Sequence, residues 1–502
     1  MLIQPGQLTL DQLRSFYFEP AKLELDDACW PDVERSQQTV VELLKTGDSI
    51  YGLNTGFGLL AKKRISDDDL AQLQLNLVRS HAAGVGDPIA KPVVRLIMLL
   101  KLASLARGFS GVRRKVIEQL VAMLNADVLP VIPSQGSVGA SGDLAPLAHM
   151  SLPLIGEGRV WLSGSDEPVE ASSGLAQAGI EPLQLGPKEG LALLNGTQAS
   201  TALALAGLFQ TERVFDAAMV AGAMSVDAAM GSDTPFDPRI HEIRNHPTQI
   251  ECAARYRELL AGSEIRASHI DCDRVQDPYS LRCQPQVMGA CLNSINHART
   301  VLVRESNAVS DNPLVFADDQ SILSGGNFHA EPVGLVADQL AVSLAEIGSL
   351  SERRIALLID RHLSNLPSFL VEDGGLNSGF MIPQVTAAAL VAENQHLSSP
   401  VTINSLPTSA NQEDHVSMAT YAARRLTPMA GNTASIIAIE LLAACQGIDF
   451  RAPLKTSPRL QTVHAAVRAL APHYDRDRAF DGEIESVRDL VLRSATLSET
   501  LS

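Results

Sequence analysis

The sequence predicts a mainly α protein: a long central helical bundle, a smaller N-terminal region and minor β pieces. Three observations carry this expectation. Alanine and leucine dominate, and aromatic residues are only 4% of the 502 residues, a composition that favours helix over sheet. Apolar residues recur at helical spacing through most of the chain. Between those stretches lie loops punctuated by glycine and proline, with little strict alternation. No break in composition follows residue 110, so the expected division is an N-terminal region, 1–110, and an elongated bundle region, 111–502.

The elements follow in order. "SDDDLAQLQLNLVRSHAAG" (66–84) opens with Ser66 and Asp69 at the spacing of a capping box, and its apolar stripe Leu70, Leu73, Leu77 predicts a helix ending near Gly84. "KPVVRLIMLLKLASLARGFSG" (91–111) and "VRRKVIEQLVAMLNADVLP" (112–130) read as two more. From Glu189 to Ala229 the chain is apolar on every side, as in a buried central helix. Residues 330–366 and 379–397 continue the helical pattern. Short β pieces are expected around 156–170 and 314–323. The irregular stretches are "YGLNTGFG" (51–58), "GSVGASGD" (136–143), residues 310–332 and "INSLPTSANQED" (403–414). Loops held by rigid helices are where chemistry usually sits.

Several function classes are disfavoured. A net charge of −17 argues against nucleic acid or an anionic membrane surface as partner. The six cysteines form neither a CxxC pair nor a spaced metal framework. The N-terminus lacks a basic stretch followed by an apolar core. Lys101, Arg107 and Glu440 interrupt the most apolar runs, below the ~18 continuous residues of a membrane span. A cytoplasmic chain is the consistent expectation. No P-loop motif is present. "HEIRNH" (241–246) sets its histidines five apart, ~140° around a helix, so it does not make the zinc pair of HExxH. "GASGD" departs from the GxSxG elbow at Asp143.

The stretch "GSVGASGDLAPLAHM" (136–150) places three glycines around Ala140-Ser141, just where a helix begins. Glycine reaches backbone conformations closed to other residues. If the Gly142 nitrogen meets the Ala140 carbonyl, a five-membered ring closes. Loss of water from that adduct and of the Ser141 hydroxyl leaves an exocyclic methylidene, an electrophile no ordinary side chain supplies. A plain alternative is a glycine-rich turn with Asp143 as N-cap and Pro146 in the first turn.

The surroundings favour the electrophile. The stretch resembles the signature of the aromatic amino acid ammonia-lyases, which build a 4-methylidene-imidazole-5-one (MIO) from Ala-Ser-Gly. "YGLNTGFGLLA", "NLVRSHAAGVG", "RGFSG", "LALLNGTQAS", "VQDPYSLRCQPQVMGA", "ESNAVSDNPLVF", "SGGNFHAEP" and "SLPTSANQEDHVSM" are similar to family motifs, in family order, over roughly residues 50–450. The resemblance implies an MIO formed from Ala140, Ser141 and Gly142, with no external organic cofactor or metal. The helix near Asp143 would direct its positive end toward the electrophile. It also implies a small amino acid substrate and a homotetramer whose sites draw on several chains.

By the same resemblance Tyr51 is the candidate for the base that removes the β-proton, with Tyr279 as a second catalytic candidate. Arg282, three residues beyond Tyr279 and near a helix start opened by Pro278, is the candidate for the substrate carboxylate, a charge-assisted contact. Asn195 would lie beside the MIO and the substrate amine. It and Gln198 interrupt an apolar helix, so each needs a hydrogen-bond partner. Gln276 and Phe328 match family active-site positions; Phe328 can also be read as a core residue, but it follows Gly325-Gly326, where two glycines permit close backbone approach. His81 extends the Leu70, Leu73, Leu77 stripe. Ser80-His81 is similar to the ring-selectivity pair of the histidine-directed branch, where phenyl-selective relatives carry Phe-Leu or His-Leu. Glu413 agrees with the same branch, and a carboxylate stabilises charged imidazole. Remaining alternatives are a phenylalanine or tyrosine lyase, an MIO-dependent aminomutase, a non-catalytic structural paralogue, and a serine hydrolase using Ser141.

Overall fold

A computed structural model describes residues 1–46, 50, 53–55, 65–66, 69–269, 275–493 and 496–501. Tyr51 lies outside the described residues. The chain is mainly helical, as expected. It divides into two compact units, one of Met1–Ala206, Arg299–Asp338 and Pro400–Arg424, the other of Gly207–Ala298, Gln339–Ser399 and Arg425–Ser502. These boundaries fall at places other than residue 110.

The first unit holds every strand among the described residues. Leu129–Pro130, Arg159–Trp161 and Val169–Glu170 form a small antiparallel sheet, and Leu314–Phe316 pairs with Ser321–Leu323, in the two regions where β pieces are expected. The predicted helices appear at Leu70–His81, Lys91–Leu105 and Arg114–Asn125. The Ser66 capping box does not form: Asp69 precedes the helix without a side-chain cap bond, because its carboxylate accepts the Ser66 hydroxyl at 2.6 Å.

The continuous helix expected from Glu189 to Ala229 is two helices, Glu189–Leu194 and Gln198–Ala228. Asn195 is extended (φ −85°, ψ 135°), and Gly196 has φ 130°, which side-chain-bearing residues rarely adopt. Asn195 therefore sits in a break between helices, not within one.

Among the described residues the second unit is entirely helical. Its core includes Ile355, Ala387, Val391, Ile436 and Ile439, where Met381–Leu397 packs on Leu426–Asp449. Two helices, Glu331–Ile359 and Ala419–Asp449, are long and apolar enough to cross a membrane by length and composition. Of those windows 67% and 78% is buried inside the protein, as in core helices.

Glu440, which interrupts an apolar run in the sequence, is fully buried in the second unit. Arg354, also fully buried, grips it with Nε on Oε1 and a guanidinium nitrogen 2.7 Å from Oε2. Ser225 and Ser351 donate to the same two oxygens at 2.7 and 2.6 Å. A buried pair is strongly destabilised when one partner is removed, whereas replacing both by apolar groups is often neutral. We expect Arg354→Met to lower stability by about 3–5 kcal/mol. Adding Glu440→Leu should recover most of that loss. Urea unfolding of the two variants tests this, and equal midpoints for Arg354→Met and wild type would contradict it.

Candidate active site

The loop 136–143 turns on glycine. Gly139 and Gly142 have φ 67° and 76°. A Cβ on Gly142 would lie 2.2 Å from the Gly196 carbonyl oxygen, so no other residue fits. This contact joins the loop to the break after Leu194: the Asp143 N–H donates to the Gly196 carbonyl at 2.8 Å. The Asn195 amide donates to the Ser141 carbonyl at 3.1 Å. From the far side, the Met418 N–H donates to the Val138 carbonyl at 2.9 Å, and the Ser417 hydroxyl to that of Gly139 at 3.1 Å.

Ala140 and Gly142 are buried and Ser141 is half-buried. The Ser141 hydroxyl donates to Glu413 Oε1 at 2.6 Å. The other Glu413 oxygen accepts the Thr408 hydroxyl at 2.8 Å, and the backbones of Thr408 and Glu413 pair. Three left-handed residues, Ser409, Ala410 and Asn411, form the turn between them. The structure thus brings Ala140, Ser141, Gly142, Asn195 and Glu413 into one place.

His81 ends its helix half-buried. Its Nδ1 lies 2.9 Å from the Leu77 carbonyl, which can only accept, so Nδ1 carries the proton and Nε2 keeps its lone pair in the neutral ring. Burial holds its pKa below the usual imidazole value, while the Leu77 bond and the charge of Glu413 pull it up. Gln198 gives its amide to the Ser310 hydroxyl at 3.0 Å. Phe328 is half-buried, but the two glycines before it have open space where a Cβ would stand. Among the described residues nothing makes use of the close approach that Gly325-Gly326 permit; they lie in an exposed loop.

Gln276, Tyr279 and Arg282 belong to the second unit. Tyr279–Arg282 is a single helical turn after Pro278. Gln276 is exposed and Tyr279 is 70% exposed. The Arg282 guanidinium carbon lies 4.6 Å from the Tyr279 ring centroid, within cation–π range. Its Nε is buried without a hydrogen-bond partner among the described residues.

Comparison with known proteins places this geometry. Residues 8–469 match the family described as aromatic amino acid lyase. The chain belongs to that family. It is 60% identical over 493 residues to a histidine ammonia-lyase of Aromatoleum aromaticum, covering 98% of this chain and 93% of that protein. The crystal structure of histidine ammonia-lyase from Trypanosoma cruzi superposes with TM-score 0.92 at 40% identity, covering 100% of this chain and 94% of that one. Pantoea agglomerans phenylalanine aminomutase superposes with TM-score 0.94 at 30% identity, covering 99% and 100%. Lyase and aminomutase share the fold, so substrate and outcome must be argued from side chains.

Beneath the loop lie groups that sequence reasoning missed. Asp143 is fully buried. Its carboxylate accepts from the Ser200 N–H (2.7 Å), the Ser200 hydroxyl (2.9 Å), the Thr420 hydroxyl (2.6 Å) and the Ser137 hydroxyl (3.2 Å). Burial raises its pKa despite these donors. Lys101, also buried, donates to the carbonyls of Ala192 (3.1 Å) and Asn195 (2.7 Å). It satisfies carbonyls that the end of a helix leaves without partners, and so fixes the backbone that carries the Asn195 amide. The only sequence signal was a lysine inside an apolar run.

Burial pushes the Lys101 ammonium from 10.5 down to about 7, against the pull of Asp311 and Asp143 and with help from Lys188. Between about 7 and 10.5 the unfolded chain therefore binds a proton here that the folded chain does not. Stability from this group rises with pH through that window. The expected result is a gap between the thermal midpoints of wild type and Lys101→Met that moves in favour of wild type from pH 7 to pH 10. Parallel pH curves would show that Lys101 keeps its ordinary basicity.

Proposed function

We propose that this chain eliminates ammonia from L-histidine, without oxidation, to give trans-urocanate, the reaction of a histidine ammonia-lyase. The observation that carries this reading is 60% identity to such an enzyme across nearly the whole length of both chains. The local geometry supports it. Ala140 and Gly142 are small and buried, Gly142 tolerates no side chain, and Glu413 holds the hydroxyl that must be lost from Ser141. These residues fit an MIO, which when formed supplies an electrophile that makes the substrate nitrogen a better leaving group.

The chain's own groups do the rest in this reading. Asn195 orients the reacting end of the substrate through its amide. Arg282 pairs with the substrate carboxylate. Tyr51 removes the weakly acidic β-proton, with Tyr279 as the other candidate. Gln276 and Phe328 complete the substrate's surroundings. His81 Nε2 accepts from the imidazole ring. Glu413 has both oxygens engaged, by Ser141 and Thr408. Loss of the Ser141 hydroxyl frees Oε1 for that ring. The assembly in this reading is a homotetramer with shared sites, and the compartment is the cytoplasm. Among the described residues five cysteines are free, in keeping with a reducing environment.

Two experiments test the reading. In the first, the mature chain should weigh less than its sequence by two waters. Ser141→Ala should keep the fold and lose nearly all release of the conjugated acrylate, followed in the ultraviolet. An active preparation with the unmodified mass excludes self-processing, and a β-amino acid product indicates an aminomutase.

The second addresses the substrate. A polar ring satisfies His81 and Glu413, whereas phenyl leaves them desolvated, and such sites reject the analogue lacking the hydrogen bond by up to ~10⁴-fold. Replacing Ser80-His81 by Phe-Leu, together with Glu413→Gln, should depress kcat/KM for histidine and narrow its ratio to that for phenylalanine. Because Glu413 also holds Ser141, the variant's mass is measured alongside. A normal mass loss with an unchanged ratio removes these residues from specificity.

A further inference from the structure

The fold gathers one group of metal-capable side chains that the sequence keeps far apart. Ligand atoms of His329, Glu331 and His415 all lie within 4.8 Å of one another in the first unit. Their arrangement has two features of a metal site, the hydrogen bond that orients His329 and the unpartnered oxygen of Glu331. His329 Nε2 lies 3.1 Å from the His415 carbonyl oxygen. That oxygen only accepts, so Nε2 carries the proton and Nδ1 keeps its lone pair. A ring N–H held by a backbone carbonyl is the outer-shell arrangement that orients a metal-binding histidine. The two imidazole rings are nearly parallel, 5° apart in plane with centroids 5.8 Å apart. Glu331 Oε2 is buried and has no hydrogen-bond partner among the described residues, a costly state for a carboxylate oxygen unless a cation or donor meets it.

The second unit offers a contrast. There His464 and His473 also meet a carboxylate, Asp449, but Arg468 bonds the same carboxylate at 2.9 Å. A guanidinium already holds that place and would repel a further cation. Among the described residues no Lys or Arg forms an ion pair with Glu331.

We propose that His329, Glu331 and His415 bind a divalent transition-metal ion of the zinc class. Two imidazoles and one carboxylate suit zinc, cobalt and nickel rather than magnesium or calcium, which prefer all-oxygen sites. A tetrahedral ion with bonds of roughly 2.0–2.2 Å holds its ligand atoms roughly 3.3–3.6 Å apart, so side-chain rotation closes the site. His329 follows Phe328, and His415 lies two residues beyond Glu413. The ion would clip together the two backbones that carry those side chains. The inference stands apart from the reaction assigned above, because its readout is metal binding and not ammonia release.

The test uses the full chain after chelator treatment, titrated with Co²⁺ and followed by the visible absorption of cobalt in a nitrogen-containing site, then by Zn²⁺ displacement. The expected result is one such cobalt per chain, displaced by stoichiometric zinc. His329→Ala and His415→Ala should each weaken binding by more than the roughly 10- to 100-fold that loss of an outer-shell partner costs. Glu331→Gln should weaken it too. His415 is exposed, so its variant is the one expected to fold unperturbed, and the wild-type titration needs no variant at all. Absence of the cobalt absorption in wild type, or unchanged affinity in His415→Ala, overturns the proposal.

Discussion

The first unit's site hangs on one buried carboxylate. Asp143 takes donors from its own loop (Ser137), from the start of the Gln198–Ala228 helix (Ser200) and from a segment near the other end of the chain (Thr420). Burying a carboxylate is expensive unless its lone pairs are met, and here hydroxyls and one backbone N–H meet them. The result is a fixed point at which three distant stretches of sequence converge, one residue beyond Gly142. Burial still raises its pKa, so the donors do not fully offset desolvation.

A second constraint follows from the first. For Gly142 to lie against Gly196, the stretch from Glu189 must stop being helical for three residues, although every residue from Leu191 to Thr201 is buried. Helix breaks leave carbonyls without partners, and no water is at hand in a core. Lys101 supplies the missing donors from a neighbouring helix, at the cost of burying an amine. The Asn195 amide is held where it is because its own backbone carbonyl is held. The side chain that touches Ser141 and the side chain that stabilises its backbone therefore come from different elements.

These features explain what could be read beforehand. Helical periodicity reports burial on one face, so Leu70–His81, Lys91–Leu105 and Arg114–Asn125 were legible. The small β pieces were legible from the turns around them. The Ala140-Ser141-Gly142 loop was legible because its neighbours matched family motifs; its own glycine pattern suits a plain turn before a helix equally well. The break at Asn195 was not, since Asn-Gly-Thr in an apolar run gives no period change until Gly196 is seen to meet Gly142. Lys101 looked like an interruption of an apolar helix, because sequence shows a residue's character and not the carbonyls waiting for it. Gly325-Gly326 show the limit of such a signal: glycine permits close approach but does not require it, and here open space surrounds both. The His329 and His415 pair is 86 residues apart, and no local spacing announces a contact of that kind.

Glu413 shows how far local identity and actual environment can differ. By resemblance it reads as a ring-selecting residue, a carboxylate awaiting an imidazole. In the structure neither of its oxygens is waiting: one accepts from Ser141 and the other from Thr408. A carboxylate oxygen accepts more than one hydrogen bond, as those of Asp143 and Glu440 do here, so a substrate ring at Glu413 either adds to these donors or replaces one of them. In the proposed reading Ser141 is the partner that can leave, because its hydroxyl would be the group lost in forming the electrophile. Thr408 cannot, since its backbone pairs with Glu413 through a turn of left-handed residues. In that reading the carboxylate is fixed on one side and released on the other, and the entering ring would bring a donor of its own to the oxygen that Ser141 vacates, which imidazole has and phenyl lacks.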